Sequence, residues 1–180
     1  SVIAADGRTM ALFTSHASLQ MTSKAIRSDL KARGITVLAQ GVDGSPANLV
    51  KRFMEDPSSV LLGTASFWEG IDLPGDSLKV VVMVRLPFSV PSDPLFEARS
   101  ELLDNPFTEY ALPQAILRLR QGFGRLIRSN NDRGVALILD RRLTSRGYGR
   151  QFIESLPDVE IRRDSLHDLE RLIHEWLRKR

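Results

Sequence analysis

Five short apolar runs, separated by longer segments with a helical repeat, constrain this chain more than any other feature. The runs are Met10 to Thr14, Thr36 to Ala39, Val60 to Gly63, Val80 to Val84 and Val135 to Leu139. Amphipathic stretches cover Ser18 to Arg33, Ala47 to Glu55, Pro94 to Leu103, Gln114 to Arg128 and Arg146 to Ser155. Leu166, Leu169, Ile173, Trp176 and Leu177 then close the chain at helical spacing. Strands this short and this apolar are buried on both faces, and alternation with helices joins them in parallel through crossovers. Turn residues fall between the elements, at Asp6-Gly7, Gly44-Ser45-Pro46, Pro74-Gly75-Asp76 and Asn130 through Gly134. The pattern predicts an α/β domain spanning residues 1–180, a mostly parallel central sheet covered by helices on both faces. Ligands of such sheets gather beyond the carboxyl ends of the strands, which says where chemistry is to be sought.

Composition enters where partners are concerned. The net charge is only +3, yet from Arg118 to Arg150 nine arginines stand against two acids, Asp132 and Asp140. That local basic stripe suits an anionic partner. Without cysteine the chain can hold no disulfide, thiolate zinc or cysteine-ligated iron–sulfur cluster, and no metal site is expected. No apolar run approaches the ~18 residues that span a bilayer, and the first residues lack the basic-then-apolar layout of a signal peptide; no membrane partner and a cytoplasmic location are expected. The first residues enter a strand at once without an initiator Met, which suggests a piece of a longer protein.

The strand ends carry the polar chemistry. Phe13-Thr14-Ser15-His16 places small hydroxyls before a helix that Ser18 can cap, an arrangement serving either a phosphate or capping alone. His16 is a lone histidine, expected to be a hydrogen-bonded turn residue. GTASFWEGIDLPG, residues 63–75, offers hydroxyl donors at Thr64 and Ser66, close backbone approach at Gly70, and acceptors at Glu69 and Asp72. Phe67 and Trp68 can pack or stack on a base, and packing is the expected use. The run ending in Leu86-Pro87-Phe88, with Pro91 and Pro94, has a structural role because proline fixes the backbone. Arg141 and Arg142 are expected on a solvated rim, and His167 and His174 on the surface. In QGFGRLIRS, residues 121–129, Arg125 and Arg128 lie three apart beside Gln121. A guanidinium cannot lose its charge, so a pair held near a core needs anions. Protein carboxylates such as Glu69 and Asp72 can supply them, and so can a ligand with several negative charges.

Together these stretches resemble the second RecA-like domain of superfamily 2 helicases, most closely the DinG/XPD-like DNA helicases. Met10 through Ser15 looks like motif IV, Gly63 through Gly75 like motif V, and Gln121-x-x-Gly124-Arg125-x-x-Arg128 like motif VI. The resemblance covers nearly the whole chain and implies a RecA-like three-layer α/β/α fold. It implies that Arg125 and Arg128 act as arginine fingers on ATP and that Gln121 couples nucleotide to the domain interface. Gly70, Asp72 and Glu69 would border the nucleotide, and Thr14, Ser15, Thr64 and Ser66 would hold the backbone of single-stranded DNA.

The departures are as informative. No G-x-x-x-x-G-K-[ST] phosphate loop and no acidic magnesium-binding box is present. ATP with Mg2+ would be held mainly by a first RecA-like domain of the same parent chain, which becomes the expected partner together with single-stranded DNA. Any iron–sulfur cluster would belong elsewhere in that parent. Alone, the chain is expected to be inactive. Two other readings stay open: a non-catalytic nucleic-acid or protein docking module on the same fold, and an unrelated α/β enzyme for a small phosphorylated substrate.

Overall fold

The computed structural model describes residues 1–64, 67, 77–89, 94–127 and 133–178. Its five strands are β1 (Thr9–Leu12), β2 (Thr36–Ala39), β3 (Ser59–Gly63), β4 (Val80–Met83) and β5 (Val135–Ile138). They form one sheet in the order β2-β3-β1-β4-β5, with every pairing parallel. In register, Met10 faces Leu61 on one side and Val81 on the other. Side chains alternate across a strand, so these apolar runs feed two cores at once.

The first face carries Met10, Leu12, Leu38, Leu61, Val81 and Met83. It is covered by α2 (Pro46–Glu55), α4 (Leu112–Phe123) and α6 (Gly149–Glu154), through Leu49, Phe53, Leu119 and Phe152 among others. The second face carries Ala11, Phe13, Val37, Val60, Leu62, Val80 and Val82. Here α1 (His16–Ala32) packs through Leu19 and Leu30, and α7 (Leu166–Arg178) packs through Ile173. Two shorter helices, α3 (Pro94–Ser100) and α5 (Arg142–Ser145), complete the set among the described residues. Phe13, Phe53, Phe67 and Phe152 are almost wholly removed from solvent, and each contributes about 1.5–3 kcal/mol relative to exposure. The expected three-layer α/β/α architecture is observed, and its sheet is entirely parallel.

Three helices depart from the boundaries expected from periodicity. Ser15, rather than Ser18, caps α1, its hydroxyl oxygen accepting the Ser18 N–H at 3.2 Å. The helix expected over Gln114 to Arg128 starts earlier and stops sooner. A π-helical turn, Phe107–Ala111, leads into α4. Asn105 accepts the Thr108 N–H, and Glu109 reaches back to the Asn105 N–H at 2.7 Å, reciprocal capping that starts the helix. Pro113 has no N–H and crowds the carbonyl four residues back, so a widened turn over Glu109 accommodates it. At the other end Gly122 and Gly124 weaken helix propensity, and the chain tightens into turns with Leu126 N–H bonded to the Phe123 carbonyl at 2.9 Å. The segment expected as one helix over Arg146 to Ser155 is instead α5 and α6, separated by a turn. Among the described residues no helix is long and apolar enough to cross a membrane.

Candidate functional site

The carboxyl edge of the sheet is even because each ladder continues one residue past its strand. Phe13 N–H bonds to the Gly63 carbonyl at 2.8 Å, Gln40 N–H to Leu62 at 3.0 Å, Val84 N–H to Leu12 at 3.1 Å and Leu139 N–H to Met83 at 2.9 Å. Thr14, Gln40, Thr64, Arg85 and Asp140 therefore leave the sheet from one edge. Thr14 and Ser15 are exposed there, and the Ser15 oxygen already serves the α1 cap.

Thr64 is placed differently. It is 6% exposed and sits in a network joining three strand ends. Its N–H and its hydroxyl both donate to Gln40 Oε1, at 2.8 and 3.0 Å, and its Oγ1 lies 3.2 Å from His16 Nε2. Gly63 allows this loop to close: a Cβ there would overlap the Phe67 ring, which is fully buried and packed into the first core. Phe67 thus packs and does not offer a face to a base. Ser66, Trp68, Glu69, Gly70 and Asp72 lie outside the described residues.

Ion pairs anchor the two outer strands. Beyond β2, Asp43 Oδ2 accepts from Arg27 at 2.7 Å and from Ala39 N–H at 2.8 Å. Burial alone would push the Asp43 carboxyl up, but the Arg27 and Ala39 bonds outweigh it and hold it below the usual carboxylate range. Beyond β5, Asp140 accepts from Leu86 N–H at 2.9 Å, from Arg142 N–H at 2.9 Å and from the Arg142 guanidinium at 2.6 to 3.0 Å. Burial again acts upward, and these bonds bring the carboxyl down to about 2. The Arg142 guanidinium also lies over the Phe88 ring, which meets Phe107, Tyr148 and Phe152 in an aromatic cluster. Arg142 is therefore a structural cation and not a solvated rim residue; Arg141 beside it is exposed, as are His167 and His174.

The motif around Gln121 stands at the other edge. Helix α4 runs back from the exit of β4 toward the entry of β5, and Leu126 packs beside Gly134 and the Lys79 carbonyl that precede β5 and β4. Gln121 is exposed on the last turn of α4. Arg125 lies beyond the helix end, half-buried, with its Nε shut off from solvent. Arg128 lies outside the described residues. Among the described residues the sheet thus separates Gln121 and Arg125 from Thr14, Ser15 and Thr64 by its own length, about 15 Å for strands of this size. Among the described residues no group of three His, Asp or Glu side chains could hold a metal ion.

Comparison with known proteins shows the family. The helicase C-terminal domain family matches residues 1–159. The chain is 46% identical over 159 residues to a Bacillus subtilis protein named 3'-5' exonuclease DinG, covering 86% of this chain and 17% of that protein. It is 42% identical over 163 residues to the Escherichia coli ATP-dependent DNA helicase YoaA, covering 88% of this chain and 25% of that protein. The Mycobacterium tuberculosis ATP-dependent helicase DinG is 41% identical over 160 residues, covering 87% of this chain and 24% of that protein. The chain belongs to the helicase C-terminal domain family and, within it, to the DinG-like kind. It spans a quarter or less of the length of these relatives.

Proposed function

We propose that the chain is the C-terminal motor domain of an ATP-dependent DNA helicase. In this reading it offers Arg125 and Arg128 to ATP held with Mg2+ by a first RecA-like domain of the same parent. It also holds the backbone of single-stranded DNA near Thr14, Ser15, Thr64 and Ser66. The observation that carries it is the division of the sheet between two edges. A half-buried arginine beyond α4 stands at one edge, and hydroxyl-bearing loops stand at the other.

That division matches the work of a motor. Gln121 and Arg125 are the described residues that would meet the nucleotide, with Glu69, Gly70, Asp72 and Arg128 completing the set. A guanidinium already partly desolvated interacts strongly with phosphate charge, since little water remains to screen it. Backbone contacts at the opposite edge position a strand without reading its sequence. Relatives named ATP-dependent DNA helicase and ATP-dependent helicase support the same assignment. An iron–sulfur cluster, if the parent holds one, belongs to its other domains, because this chain has no cysteine. We infer a cytoplasmic location for the parent, where a DNA substrate would be met.

The test is ATP hydrolysis by the complete parent, with and without single-stranded DNA, for wild type, Arg125→Ala and Arg128→Ala. Stimulated turnover is expected to fall by about 10³-fold or more in at least one variant. Turnover indifferent to both substitutions would overturn the finger assignment, and turnover indifferent to DNA would overturn the motor.

A further inference from the structure

The hydrogen bonds at the end of β3 allow the protons to be counted. Two donors converge on Gln40 Oε1, and one of them is the Thr64 backbone N–H, which can only donate. The group facing it is therefore the amide oxygen, which carries no hydrogen of its own. The Thr64 hydroxyl has one proton, and its bond to that oxygen uses it. His16 Nε2, 3.2 Å from the same Oγ1, must then bring the proton for the remaining bond. His16 is thus held as the Nε2–H tautomer, and its Nδ1 carries a lone pair when the ring is neutral.

We propose that His16 contacts a nucleobase of the single strand, and that Thr64 and Gln40 are positioning residues that hold its ring. The inference rests on the strand-binding reading above and reassigns Thr64 within it. Thr64 is 6% exposed with its hydroxyl proton committed, whereas His16 is exposed at the same edge of the sheet. A phosphodiester offers only acceptors, and the one ring N–H that the geometry fixes is already given to Thr64. A base matches on two counts, because it presents a π face to an imidazole and N–H groups to a lone pair. Gln40 fixes Thr64, Thr64 fixes the ring, and three strand ends meet at one contact.

The test uses the complete parent chain and fluorescein-labelled oligo-dT at fixed salt, read by anisotropy and by the DNA concentration giving half-maximal ATPase. His16→Ala is expected to raise that concentration by about tenfold while leaving the KM for ATP unchanged. Thr64→Val is expected to act similarly, and the double variant no more strongly than either alone. On an oligonucleotide of the same length with abasic sites, wild type and His16→Ala are expected to bind alike. If His16→Ala binds oligo-dT like wild type while Thr64→Val weakens it, Thr64 is the direct contact and the proposal is overturned. A tenfold difference persisting on the abasic strand would also overturn it, in favour of phosphate. Wild type that neither binds nor responds to DNA would instead overturn the strand-binding reading itself. Thermal melts confirm folding; should Thr64→Val fail to fold, His16→Ala with the abasic strand decides alone.

Discussion

At the outer corners of the carboxyl edge, beyond β2 and β5, an aspartate is held by an arginine and by backbone N–H groups. Between those corners, at the ends of β1 and β3, the chain uses an imidazole, a hydroxyl and an amide. The corners must stay fixed, since each ties a loop back to a sheet edge that has no further strand beyond it among the described residues. A carboxylate bonded at once to a guanidinium and to backbone N–H suits that purpose, because any rearrangement leaves a charge unpaired. The middle can exchange one partner for another at about 1 kcal/mol per neutral bond, which suits a place where a ligand arrives and leaves.

The contrast breaks most severely at Asp140. Asp140→Ala is expected to destabilise this chain by about 2–3 kcal/mol, because Leu86 N–H and the Arg142 guanidinium lose their acceptor. A urea melt reads the loss, and a value no larger than that of a surface pair would erase the distinction between corner and middle. Acid tests the same residue without mutation. The carboxyl lies at about 2 when folded against ~3.9 when unfolded. Its stabilisation is therefore present above about pH 4 and disappears as the pH falls toward 2. Asp140→Asn should flatten that acid limb in melts at successive pH values.

Smaller effects follow toward the middle of the edge. Gly63→Ala forces a methyl into the Phe67 ring and is expected to cost about 1–3 kcal/mol. Thr64→Val retains the packed shape and loses neutral hydrogen bonds, with about 1 kcal/mol expected by the same melt. A loss at Thr64 exceeding that at Asp140 would reverse the comparison. Glu154→Ala removes an exposed partner of Arg150 and should change stability by less than about 0.5 kcal/mol, which sets the baseline.

The layers of the fold were legible because short apolar runs alternate so regularly with helical segments: each of the five runs is a strand within a residue or two of where that pattern put it. Ends of helices were less legible. The extent of α4 depends on Asn105 capping, on Pro113 displacing a carbonyl and on Gly122 with Gly124, three local effects that the apolar period of Leu112, Ala115 and Leu119 does not carry. Of the candidate site, Thr14, Ser15 and Thr64 do sit at the carboxyl edge, but whether a hydroxyl is available depends on its neighbours. Gln40 is 24 residues from Thr64 and His16 is 48, so no local pattern announces their bonds. The signal available was a single amide placed directly after an apolar strand. Asp140 with Arg142 left a clearer trace, a carboxylate and a guanidinium two apart at a strand exit.

The arrangement of both candidate regions at opposite ends of the same parallel strands also has a mechanical side. A pull between them runs lengthwise, so the ladder bonds of four adjacent pairings resist together in shear, and none is peeled open in sequence. Unzipping would need a force across the strands, which neither region is placed to apply. The sheet is a short strut, and on the proposed assignment a displacement at the Arg125 end would reach the His16 end with little lost to stretching in between.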